Sequence, residues 1–132
     1  MERKAIICID DEPIILNSLV EQLEKHFGQS YLYEQAESAE EALEVIDDLD
    51  DDDIEIETIV CDWLMPGMKG DEFFLHIDLK YPRVVKILLT GQADESLVYN
   101  LKQETDKFAI VHKPWGKDEL INAIKMRLKR ID

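Results

Sequence analysis

Apolar residues along this chain fall into two patterns that take turns. The first is the short unbroken run: "AIICI" at 5–9, "TIVC" at 58–61, "VVKILL" at 84–89 and "FAIV" at 108–111, rich in β-branched side chains. "YLYEQA" at 31–36 is a weaker piece of the same kind. Runs apolar at nearly every position suit strands buried on both faces of a parallel sheet. The second pattern is helical spacing. Leu16, Leu19, Val20, Leu23 and Phe27 follow Pro13, which suits a first helical position. Ser38 to Glu41 is an S-x-x-E capping box, followed by Ala39, Ala42, Leu43, Ile46 and Leu49 on one face. Phe73, Phe74 and Ile77 mark a third stripe, and Leu97, Val98 and Leu101 a fourth, which Asp94 can cap. After Gly116 come Leu120, Ile121, Ile124, Leu128 and Ile131.

Strand and helix therefore alternate five times, with no internal repeat, linker or boundary. Right-handed crossovers fold such a chain into an α/β, doubly wound five-stranded parallel sheet with helices on both faces. Ligands of open α/β sheets bind at the carboxyl ends of the strands. Charged and hydroxyl residues collect there. Asp10 and Asp11 end the first run, Asp62 the third, Thr90 the fourth and Lys113 the fifth. If the sheet order is 2-1-3-4-5, the first and third strands are neighbours, and three carboxylates, a hydroxyl and an ammonium converge on one edge.

Composition narrows the picture. The 132 residues are 45% hydrophobic and 34% charged, which is a globular balance with enough chain for a single domain over 1–132. No apolar run approaches the roughly 20 residues of a membrane span, and "MERKAIICIDD" lacks a signal-peptide core. Cys8 and Cys61 sit inside strand runs and are expected to be reduced core thiols of a cytoplasmic protein. The net charge of −15 argues against direct nucleic-acid binding. It is unevenly placed: residues 34–57 hold thirteen acids and no Lys or Arg, whereas residues 101–132 hold eight bases against five acids. The acidic run Asp47 to Asp53 lacks the glycine and spaced ligands of a calcium loop, so it is expected to be a solvated helix end.

Carboxylates crowded at one edge repel unless a cation neutralises them. Magnesium fits a few carboxylate oxygens while keeping waters open for a phosphate. Together with Lys113 it would hold the oxygens of a transferring phosphoryl group, a reaction that is mostly positioning and charge neutralisation. Asp62 is then the candidate nucleophile, forming an acyl phosphate, with Thr90 hydrogen-bonding a phosphoryl oxygen.

At this point the sequence resembles the receiver domain of bacterial-type two-component response regulators. "IDDEP", "CDWLMPGMKG", "LLTG" and "HKPW" stand in that family's order and at its spacing. The resemblance spans essentially the whole chain and implies the flavodoxin-like sheet order 2-1-3-4-5. It implies that Asp62 accepts a phosphoryl group from a phosphohistidine of a sensor kinase or phosphotransfer protein. Asp11, Asp62 and the backbone carbonyl of Leu64 would bind magnesium, and Asp10 would act through a metal-bound water. Lys113 would pair with the phosphoryl group or with Asp62. Thr90 would carry the signal to the surface of the fourth helix, fifth strand and fifth helix, where an output domain, a downstream protein or a second copy docks. Gly91 would leave room for the phosphoryl group, and the Lys113–Pro114 bond would be cis. Such a domain catalyses only its own phosphorylation and dephosphorylation.

Some positions depart from the family. Ile110 stands three residues before the site lysine, where Tyr or Phe is usual, so an aromatic rotamer switch is not expected here. Leu64 cannot orient an attacking water, whereas Gln92 can, which leaves the phosphoryl lifetime open. A phosphatase or phosphomutase with an aspartyl nucleophile would need an acid where Leu64 stands, and "DDEP" would repel the phosphate of a flavin nucleotide. A receiver fold that docks without phosphorylation is the alternative. His26 and His76 are expected on helix surfaces, and Trp63 and Trp115 as walls of the site. Alternation along the strand turns His112 away from the site.

Overall fold

A computed structural model describes residues 3–91, 107–116 and 118–131. Five strands, β1 (Lys4–Ile9), β2 (Tyr31–Ala36), β3 (Glu55–Asp62), β4 (Val85–Thr90) and β5 (Ala109–His112), form one sheet in the order β2-β1-β3-β4-β5. Every neighbouring pair is parallel. The helices are α1 (Pro13–Phe27), α2 (Ala39–Asp51), α3 (Gly70–Lys80) and a C-terminal helix, Glu119–Ile131. The fourth helix expected over Leu97, Val98 and Leu101 lies outside the described residues, as do Asp94 and Gln92.

The unbroken apolar runs are two-sided because both sheet faces are covered. Ile7, Ile9, Ile59, Cys61 and Leu88 meet α2 and α3 through residues such as Ile46, Phe73 and Phe74. Ile6, Cys8, Val60, Ile87 and Leu89 meet α1 and the C-terminal helix through Leu16, Leu19, Leu120 and Ile124. The edge strand β2 is half-buried over most of its length, which is why its run is weaker. Ser38 caps α2 by accepting the Glu41 N–H at 3.1 Å, as the capping box predicts. The Glu41 carboxylate reaches back to the N–H of Glu37 rather than to that of Ser38. The acidic run is the end of α2 and the turn after it, with Asp53 in the left-handed region at φ 57°.

Two features go beyond the patterning. β3 starts at Glu55, ahead of the apolar run, because Glu55 and Ile56 are register partners of Lys4 and Ala5 at the start of β1. Lys4 Nζ lies 3.6 Å from Glu57, and the Tyr31 hydroxyl donates to Glu57 at 2.9 Å. The register shifts between Ala5 and Ile6, opposite Ile56 and Thr58, so Glu57 is an extra residue of the kind that makes a bulge. The second feature is Lys86, which lies inside β4 and is only 1% exposed. Its ammonium donates to Asp78 at 3.1 Å, to the Val84 carbonyl at 2.9 Å and to the Tyr81 carbonyl at 3.2 Å. All three donors of the ammonium are thus used, and they tie the end of α3 to β4.

Candidate functional site

Strand alternation decides which site residues meet. Asp10, Asp62 and Lys113 continue the rows of Cys8, Val60 and Val111, which face α1 and the C-terminal helix. Because β1, β3, β4 and β5 are successive neighbours, these side chains converge at the carboxyl edge. Lys113 Nζ stands 2.9 Å from Asp10 Oδ2 and 3.0 Å from Asp62 Oδ1. Carboxylate oxygens of Asp10, Asp11 and Asp62 all lie within 4.8 Å of one another.

The three acids differ in their surroundings. Asp10 is fully buried, with one oxygen on Lys113 and the other accepting the Glu12 N–H at 2.9 Å, at the start of α1. Asp11 is exposed to solvent. Asp62 is 7% exposed, and burial pushes its carboxyl up to about 6 against the pull of the Lys113 ammonium. Burial would by itself lower Lys113, but hydrogen bonds to Asp10 and Asp62 outweigh it and hold the ammonium above its ordinary value. This donor set suits a hard cation: oxygen atoms only, with one carboxylate open to solvent and two buried beside it.

The loop from Asp62 to α3 keeps the acid in place. The Trp63 N–H donates to the Leu89 carbonyl at 2.8 Å, and the Gly70 N–H to the Trp63 carbonyl at 2.9 Å. A Cβ on Gly70 would stand 2.5 Å from the Asp62 carbonyl oxygen and 2.7 Å from Leu88 Cδ1. Only glycine lets α3 begin so close to the Asp62 backbone, a requirement that the final residue of "MPGMKG" signals. Trp63 is a buried wall whose indole N–H donates to Asp71 at 2.9 Å, and Trp115 donates to Gln22 at 2.6 Å. Leu64 is 58% exposed beside the site. The Lys113–Pro114 bond is cis. His26 and His76 are exposed on their helices, as expected.

Thr90 is placed differently from Lys113. It continues the row of Leu88 and Ile110, on the side of α2 and α3, and is fully buried. Its backbone carbonyl accepts the Lys113 N–H at 2.7 Å, while its hydroxyl lies 3.3 Å from His112 Nδ1. His112 therefore does not turn away from every site residue. Thr90 and His112 are register partners, and such partners on neighbouring strands project to the same side. Alternation within β5 alone cannot reveal that partner.

The family model of the response regulator receiver domain matches residues 6–125. The chain belongs to this family. It is 28% identical over 74 residues to the hydrogenase transcriptional regulatory protein HoxA of Cupriavidus necator, covering 56% of this chain and 15% of that protein. It is 27% identical over 118 residues to hybrid signal transduction histidine kinase D of Dictyostelium discoideum, covering 88% of this chain and 7% of that protein. The chain thus spans only a small part of the curated relatives it matches. A CheY-like receiver domain protein of Methanospirillum hungatei superposes with a TM-score of 0.76 at 29% identity, covering 98% of this chain and 97% of that one. Receiver domains are phosphoacceptor modules of two-component signalling, and the sheet order found here is theirs. No described helix is long and apolar enough to cross a membrane.

Proposed function

We propose that this receiver domain takes a phosphoryl group on Asp62 from a phosphohistidine of a histidine kinase or phosphotransfer protein. An Asp62 carboxylate oxygen attacks phosphorus, the P–N bond to the donor imidazole breaks, and that nitrogen leaves with the electron pair and is protonated. Lys113, 3.0 Å from Asp62, neutralises the negative oxygens as they arrive. Asp11, Asp62 and the Leu64 carbonyl would hold magnesium, with Asp10 acting through water. Bound there, the ion supplies positive charge to the phosphoryl oxygens. The division of labour follows from surroundings: both Asp10 oxygens are already engaged, whereas Asp11 is open to solvent.

The observation that carries this assignment is the buried Asp62 at the end of β3, paired with Lys113 and clustered with two further acids. Acetyl phosphate with magnesium is expected to add one base-labile phosphoryl group, seen by intact mass. Asp62→Asn abolishes it, and Asp11→Ala loses both magnesium binding and labelling. Label retained in Asp62→Asn would overturn the assignment.

The phosphoryl signal then passes through Thr90 toward the face of β5 and the C-terminal helix. Ile110 is partly buried against Leu88 and is β-branched, so a ring-like swing is not open to it. Thr90→Ala should uncouple phosphorylation from partner or dimer affinity while Asp62 still takes phosphate. Ile110→Val should keep the coupling. The reverse pattern, read with a beryllofluoride mimic, would place the switch at 110. Two free, buried cysteines, with the Cys8 thiol pushed up to about 12 by burial, fit work in the reducing cytoplasm.

A further inference from the structure

We propose that His112 is a positioning residue that holds the Thr90 hydroxyl in its resting direction. The inference rests on the role given to Thr90 in the proposed function. Thr90 is fully buried, and a buried hydroxyl needs an acceptor for its single proton. His112 Nδ1, at 3.3 Å, is the partner that its side chain has among the described residues. If Nδ1 carried a proton and donated, the threonine proton would itself lack an acceptor in that contact. The arrangement that satisfies both groups has Thr90 donating to a bare Nδ1, with the imidazole proton on Nε2, and His112 is exposed enough for that nitrogen to meet water. The same threonine proton must serve a phosphoryl oxygen in the switched state. A hydroxyl donates once, so the imidazole and the phosphoryl group compete for it. His112 is thereby a restraint on switching, seated on β5 next to the site lysine and directly across from Thr90.

The test compares wild type with His112→Val and His112→Asn, both tolerable on an edge strand. Asparagine offers an amide oxygen close to where Nδ1 stands, whereas valine offers no acceptor. Beryllofluoride affinity in magnesium, read by tryptophan emission, should tighten about two- to tenfold in His112→Val, the span of one typical net hydrogen bond. His112→Asn should stay near wild type. Equal affinities in wild type and His112→Val, or weaker binding in the valine variant, would overturn the proposal. Nitrogen-15 spectra of the resting protein provide an independent arm: His112 should be the Nε2–H tautomer, and Thr90→Val should shift its Nδ1 resonance. An Nδ1–H tautomer, or no shift, also overturns it. Acetyl phosphate labelling of wild-type Asp62 separates the two levels. Failure to label defeats the phosphoacceptor reading, whereas the nitrogen spectra judge the His112–Thr90 bond by themselves.

Discussion

Asp62, the proposed phosphoacceptor, illustrates how a site residue can oppose the fold that houses it. A carboxyl raised from 3.8 to about 6, chiefly by burial, binds its proton more tightly folded than unfolded. Its contribution to stability is therefore greatest below the ordinary carboxylate pKa and falls as pH rises to about 6. Above that, the ionised side chain destabilises the metal-free protein by at most about 3 kcal/mol, at 1.36 kcal/mol per pKa unit. Asp62→Asn in EDTA near neutral pH is thus expected to be more stable than wild type by about 1–3 kcal/mol in urea unfolding. The gain should vanish at a pH of about 4, where wild-type Asp62 is itself protonated. A less stable asparagine variant would mean that the ion pair with Lys113 outweighs the loss of hydration.

Between elements, two contacts decide how α3 sits. At its start, Gly70 leaves no room for a methyl group against the Asp62 carbonyl. Gly70→Ala must push α3 or the end of β3 aside, which should destabilise by about 1–3 kcal/mol and slow phosphorylation of Asp62. Unfolding and labelling rates measured on the same variant check both. At the other end, Lys86 ties Asp78 and the Tyr81 and Val84 carbonyls to the middle of the sheet. Lys86→Met takes that donor from both carbonyls, although Tyr81 keeps the Val84 N–H at 3.3 Å and Asp78 keeps Lys107 at 3.4 Å. The expected loss is about 1–3 kcal/mol with Asp62 labelling intact, because the contact lies away from the carboxyl edge. A neutral substitution would show that water replaces the ammonium at no cost.

Charge belongs to the whole molecule. With a net −15 and no base in the last turn of α2, like charges press on the fold at low ionic strength. Thermal unfolding in EDTA should move to higher temperature as sodium chloride is raised, since screening relieves that repulsion. Partner binding should respond in the opposite sense. The C-terminal helix carries Lys125, Arg127, Lys129 and Arg130, which suits an acidic surface on an output protein or a second copy. Association through it should weaken with salt, and salt-insensitive association would point to an apolar contact. Lys102 and Lys117 belong to the same basic segment but lie outside the described residues.

Much of this is present in the one-dimensional pattern. Two-sided burial leaves unbroken apolar runs, and one-sided burial leaves helical stripes, so the five strands and the described helices are legible from the chain alone. The candidate site is legible for the same reason. In a parallel sheet every strand ends at the same edge, so a polar residue closing each run marks that edge. What the sequence does not express is how residues meet across strands. Alternation within β5 turns His112 away from the site, but its register partner is Thr90, and register is a property of two strands. Lys86 looks like a flaw in an apolar run until the turn after α3 supplies its acceptors. Gly70 is explained only by the backbone oxygen it approaches. Local chemistry is written along the chain, whereas distance and register between segments arise only when the sheet assembles.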